Sequence, residues 1–248
     1  MSVLDVSKMT VYYGPVRGVS EVSLSVERGE IVALLGANGA GKSTVLKALS
    51  GLVKPRSGAL SFLGQDLGRV APAARVRLGL VQVPEGRRIF PSLTVSENLE
   101  LAGFGFGGHR SRRRERLQAV LERFPILAPH MPKLAGMLSG GEQQILAIAR
   151  GMMAEPTLLM VDEPSLGLGP QMVESVYDLL VQIAAEGTAV LLVEQNVTLA
   201  FEITNRAYVL QQGRLVLSGP SSELADDPRV VAAYLGARAE PTGQAPQI

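Results

Sequence analysis

The chain has 248 residues, with 24 basic against 23 acidic side chains, no cysteine and 46% hydrophobic residues. That length suits one large α/β domain with a modest insertion better than two independent domains. Near-cancelling charge removes any overall pull toward nucleic acid, and the absence of cysteine excludes disulfides and thiolate metal sites and fits a reducing compartment.

The first residues, Met1-Ser2-Val3-Leu4-Asp5, have no basic flank leading into an apolar run, so no secretory signal is expected. No apolar run approaches the ~20 residues of a membrane-spanning helix, so the chain is expected to be soluble or peripheral to a membrane. Residues 3–26 alternate, as in Val22-Ser23-Leu24-Ser25-Val26, which predicts antiparallel strands with one buried face. Residues 31–35 are instead a short continuous apolar run, followed after a glycine-rich loop by a helical stretch over 42–50 that Gly51 stops.

That loop reads Gly36-Ala37-Asn38-Gly39-Ala40-Gly41-Lys42-Ser43-Thr44 and satisfies the P-loop pattern in the strand-to-helix context it requires. Its glycines let backbone N–H groups turn inward, and the helix N-terminus adds partial positive charge, so together they can hold a polyphosphate. Lys42 is expected to reach the β- and γ-phosphates of ATP, and Ser43 to ligate Mg²⁺.

Further buried strands are expected at residues 80–83, 158–161 and 189–193, separated by helical patterns, which predicts a parallel sheet covered on both faces. Residues 86–153 read as an inserted helical segment, with Thr94 and Glu97 spaced as a capping box and Leu117, Val120, Leu121 and Phe124 forming a stripe. Within it, Ser139, Gly140 and Gly141 precede a helical run and offer a second anion-binding helix N-terminus.

The strand at 158–161 delivers Asp162 at its carboxyl end, where ligands gather in open α/β sheets, so Asp162 is expected to hold Mg²⁺. Glu163 then faces the γ-phosphate and is expected to orient and deprotonate the attacking water. Val173, Val176, Tyr177 and Leu180 form another apolar stripe, on a crossover helix ended by Gly187. The arginine-rich stretch at residues 110–116 is expected to be a solvated helix start, and His109 and His130 to be surface residues. Residues 237–248 lack periodicity and are expected to be disordered.

Leu138-Ser139-Gly140-Gly141-Glu142-Gln143 resembles the signature motif of ABC ATPases, downstream of the P-loop and upstream of Asp162-Glu163 in that family's order. The resemblance covers residues 4–236. It implies a P-loop NTPase of RecA-like α/β fold, with the core and an antiparallel β subdomain over about 1–85 and 155–236 and a helical subdomain over about 86–154. It also implies that Tyr13 stacks on adenine. Head-to-tail dimerisation is implied too, with Ser139, Gly140 and Gly141 of one subunit gripping the γ-phosphate bound by the other.

Three positions depart from the common ABC pattern. Glu85 stands where a glutamine is usual, Gln195 where a histidine is usual, and Gly169 where an aspartate follows the second acidic motif. Gln195 can hydrogen-bond the γ-phosphate or the water but cannot carry positive charge, so Glu163 is the expected base and Gln195 the expected sensor. Together with the Val-Pro-Glu-Gly-Arg-Arg, Val-Glu-Gln-Asn and Ala-Tyr-Leu-Gly segments, these departures resemble the Liv-type branch, which serves branched-chain amino acid importers and related urea and amide systems.

The resemblance implies a second ABC ATPase subunit, two transmembrane permeases, an extracytoplasmic binding protein reached indirectly, and a place on the cytoplasmic face of the cell membrane. Nucleic acid is not among the expected partners. A soluble ABC ATPase of DNA repair or translation is the rival expectation, and it lacks support from any added coiled coil or second cassette in this chain. A nucleotide kinase would leave residues 138–143 unexplained.

Overall fold

Alternating strands and continuously apolar strands separate into two sheets, because the first kind buries one face and the second buries both. The computed structural model describes residues 2–104 and 110–235; His109 and the tail at 237–248 lie outside them. β1 (Ser2–Tyr13) and β2 (Val16–Glu27) pair antiparallel across the tight turn at Gly14. β3 (Ile31–Leu35) is buried along its whole length and runs through the phosphate-binding loop into α1 (Lys42–Leu49). β4 (Ser57–Phe62) and β5 (Gln65–Asp66) complete the first sheet in the order β2-β1-β4-β5.

After α2 (Pro72–Arg77), β6 (Leu80–Val83) enters the second sheet. Buried Arg75 of α2 donates to the carbonyls of Ala48 and Leu49, satisfying and charge-compensating the C-terminal end of α1. The chain then becomes helical: α3 (Val95–Phe104), α4 (Arg110–Arg123) and α5 (Gly140–Met152). Thr94 and Glu97 form the expected capping box at the start of α3, each backbone N–H bonded to the other's side chain. Val120 and Phe124 are buried, with Leu117 and Leu121 half-buried beside them, as the stripe requires.

β7 (Leu158–Asp162), α6 (Pro170–Ala185), β8 (Ala189–Glu194), α7 (Val197–Ile203) and β9 (Arg206–Gln211) return the chain to the core. β10 (Arg214–Pro220), α8 (Ser221–Leu224) and α9 (Pro228–Leu235) finish it. The second sheet has the order β10-β9-β3-β8-β7-β6, parallel throughout except for β10. This is the α/β architecture expected, with a parallel core, an antiparallel sheet and a helical segment.

The β9–β10 hairpin lies outside the strands expected from sequence. Gln212 and Gly213 both take positive φ, the two-residue turn that matches strand twist, and so fold β10 back along the sheet edge. Arg206 of β9 ties the two sheets together, donating to Glu30 at 2.5 Å and to the carbonyl of Ser25 in β2. His130, expected at the surface, is half-buried, with Nε2 3.0 Å from a carboxylate oxygen of Glu142 at the start of α5.

Candidate active site

Sheet register sets the site. Leu35, the last residue of β3, pairs with Glu194 at the end of β8, and Asp162 at the end of β7 pairs with Val193, so three strands release their loops on one edge. The loop after β3 needs its glycines for space. A Cβ on Gly36 would fall 2.5 Å from the Leu210 carbonyl oxygen, and Gly41, at φ 110, would meet Val19 at 2.8 Å. The backbone therefore lies against β9 and β2, leaving its outer face to form a cleft of about 400 Å³.

Ala37, Asn38, Gly39, Gly41, Lys42, Ser43, Thr44, Glu85, Glu163, Gln195 and Tyr13 all line that cleft, so the structure brings together the residues read from five distant segments. Gly36, Ala40 and Asp162 lie behind it: Ala40 and Asp162 are buried, and the Gly36 carbonyl accepts from Lys42 Nζ at 2.6 Å. Tyr13 ends β1 at the rim, 41% exposed and available to a planar base. Arg17, Gly18 and Leu166 also line the cleft, although sequence singles out none of them.

Lys42, only 5% exposed, places Nζ 3.2 Å from Glu163 Oε1. The ammonium thus has a carboxylate partner where a phosphate would lie. Glu163 adopts φ 47, an unfavourable region for a residue with a side chain, and its N–H donates to the Val193 carbonyl at 2.8 Å. The backbone twist immediately after β7 is held by β8, and it aims the Glu163 side chain into the cleft.

Burial, followed by the nearby carboxyls of Glu163 and Glu85, pushes Asp162 from its usual 3.8 up to about 6, while Lys42 pulls it down. Because the folded value lies above the unfolded one, the penalty is absent below about pH 4, grows as pH rises through 6 and is constant above it. Asp162→Asn is therefore expected to stabilise the nucleotide-free protein at pH 7.5 by about 1–3 kcal/mol, with no gain at pH 4. Thermal unfolding with EDTA at the two pH values measures this.

The same acidic cluster suits a hard cation. Ser43 hydroxyl and Asp162 carboxylate are oxygen donors of the type Mg²⁺ prefers. Among the described residues no group of three or more His, Asp or Glu side chains forms a self-sufficient cage, so a cation here would take its other oxygens from phosphate and water.

Ser139, Gly140 and Gly141 lie outside the cleft. Ser139 caps α5, its hydroxyl accepting from Glu142 N at 3.3 Å while Glu142 Oε2 accepts from Ser139 N at 2.7 Å, a full capping box. Hydrogen bonds with Ser139 hold the Glu142 carboxyl below its usual range against the opposing effect of burial, with smaller help from neighbouring His130 and Lys133. A strained strap joins the two regions: Gly86, Arg87 and Arg88 all have positive φ, and Arg87 donates to Gln143 at 3.1 Å. It leads directly from Glu85 in the cleft to α5.

A family model described as ABC transporter matches residues 19–166, more than half of the chain. The chain belongs to the ABC transporter family. As an ABC ATPase it binds and hydrolyses ATP. It is 43% identical, over 94% of its length and 99% of the relative's, to the high-affinity branched-chain amino acid transport ATP-binding protein BraG of Pseudomonas aeruginosa. It is also 33% identical to LivG of Salmonella typhimurium, covering 94% of this chain and 97% of that one.

Among solved ABC cassettes, the ADP conformation of MJ1267 superposes with a TM-score of 0.87 at 25% identity, covering 95% and 99% of the two chains. The dimeric ABC cassette MJ0796 does so at 0.78 and 25%, covering 88% and 98%. One buried residue of this ABC cassette escapes sequence reasoning: Glu194, whose carboxylate accepts from Ser165 N, Gln195 N and Tyr177 Oη. Its only signal is an acidic residue ending a strand whose other five residues are apolar.

Proposed function

We propose that this chain is the ATP-driven half-motor of an importer for branched-chain amino acids, acting as a dimer beneath two permease subunits on the cytoplasmic face of the membrane. The observation that carries this is the 43% identity to BraG across nearly the whole of both chains. An extracytoplasmic binding protein would deliver the cargo, which never meets this subunit. No helix of the described residues is long and apolar enough to cross a membrane, so the conduit would come from other chains.

Within each site the cleft backbone and Lys42 bind the phosphates, Tyr13 stacks on the base, and Ser43 and Asp162 would hold Mg²⁺, which would supply charge neutralisation during phosphoryl transfer. Glu163 accepts a proton from the water attacking the γ-phosphate, and Gln195 hydrogen-bonds that phosphate. Glu85 takes the place beside the cleft from which a conformational signal could pass through Arg87 to α5.

The cap at Ser139 is exposed and lies outside its own chain's cleft, which supports a role in gripping the triphosphate held by a second subunit. Met137 beside it is 75% exposed, and Leu166 at the cleft rim is also exposed, as apolar side chains destined for a shared interface would be. A groove of about 250 Å³ lined by Val83, Pro84, Arg87, Ala102, Ala147 and Arg150 offers the permease a seat between α5 and β6.

Co-purification with the permeases and a second ATPase, followed by ATPase assays with loaded binding protein, tests the cargo. Stimulation by leucine, isoleucine or valine of several-fold is expected. Stimulation only by urea or amides would overturn the cargo class, and failure to assemble with any permease would overturn the transport role.

A further inference from the structure

Glu194 does not itself line the cleft, and its side chain has been given no part in holding nucleotide or water. It is nonetheless the most completely used carboxylate near the site. At 2% exposure, Oε1 accepts from Ser165 N at 3.1 Å and from Tyr177 Oη at 3.0 Å, and Oε2 accepts from Gln195 N at 3.1 Å. Ser165 lies two residues after Glu163, and Gln195 is the next residue along the chain. One side chain thus bonds the backbone of both loops that carry the water-facing groups.

A buried carboxylate is costly unless every lone pair is used, and the other five positions of β8 solve their burial with apolar residues. Packing alone does not call for an acid here. The Glu163 backbone, by contrast, sits in an unfavourable region that persists only when its surroundings over-determine it. Tyr177 reaches in from α6, and burial together with the adjacent Glu194 holds its phenol well above the usual range, so it stays a donor.

We propose that Glu194 is a positioning residue for hydrolysis, pinning the loop after Glu163 to the backbone of Gln195 so that both side chains meet the γ-phosphate and its water in one fixed spacing. This rests on the roles assigned to Glu163 and Gln195. Glu194→Gln keeps the shape but turns one acceptor into an N–H₂ facing an N–H donor, so the spacing relaxes.

The test is a double-mutant cycle on the full-length chain with Mg-ATP, reading kcat, KM for ATP and Tm. Glu194→Gln and Gln195→Ala are each expected to lower kcat by roughly tenfold with KM changed less than about twofold. The double variant is expected within about twofold of the worse single one, because the two act as a unit. A double defect near the product, about a hundredfold, would mean independent effects and overturn the positioning role.

An unchanged Glu194→Gln beside a defective Gln195→Ala would also overturn the positioning role, leaving the sensor assignment standing. Full activity of Gln195→Ala would overturn that assignment and this proposal with it. Should Glu194→Gln not fold, Tyr177→Phe replaces it in the same cycle, removing one of three donors, with a two- to threefold loss of kcat expected and the same non-additivity.

Discussion

Glu163→Gln is expected to lower ATP turnover by about 10²–10³-fold while ATP binding is retained or tightened a few-fold. The loss follows from the proposed role of Glu163 as base: its carboxylate lines the cleft just past the end of β7, in place to take the proton of the attacking water. The gain in binding follows from the ion pair between Lys42 and Glu163. Lys42 Nζ sits 3.2 Å from Glu163 Oε1, so an incoming phosphate must take the ammonium from that carboxylate. An amide competes less well for it. Turnover by phosphate release and affinity by calorimetry measure the two halves. In a dimer the variant should also accumulate closed and ATP-bound in gel filtration. Unchanged turnover would remove Glu163 as the base.

Lys42→Ala is expected to raise the Kd for ATP by roughly 10–100-fold, the value of one or two charge-assisted bonds to phosphate. It should also destabilise the nucleotide-free protein by about 1–3 kcal/mol, because Glu163 is left nearly buried with no cation beside it. The second effect separates this variant from Glu163→Gln, which removes the charge that needs a partner. Calorimetry and thermal unfolding, each with and without ATP, check the pair of expectations, and unchanged affinity would take Lys42 out of the cradle.

Much of the fold is legible in sequence because its strands are of two unmistakable kinds. Residues 31–35 and 158–162 are apolar runs of five and four residues ending at loops with chemistry, and the 3–26 stretch alternates. The cleft was legible for the same reason: Asp162 and Glu163 sit at the end of β7 and Lys42 follows the loop that leaves β3, and parallel register must bring those strand ends to one edge. The hairpin of β9 and β10 was less so. In β10 exposed and half-buried residues alternate on a sheet edge, with no fully buried face to mark them.

Contacts between side chains distant in sequence were not legible at all. Nothing in Val-Glu-Gln-Asn says that Glu194 meets Ser165 and Tyr177, since those partners come from a loop and a helix placed only by the finished sheet. The ion pair of Lys42 with Glu163 was hidden for another reason. A motif names residues by their contacts to nucleotide and carries no information on the contacts those residues make with each other.

Gly141 carries a lesson for anyone altering the Ser139 turn. A Cβ there would lie 2.1 Å from Cε of Met172 and 2.7 Å from its Cγ, so any larger residue must reroute a side chain on the first turn of α6. The glycine is fixed by what stands behind the helix as much as by what approaches its tip. An inactive Gly141 variant would therefore have two readings, a displaced Met172 inside its own subunit and a changed tip of α5, which a Met172→Ala background separates.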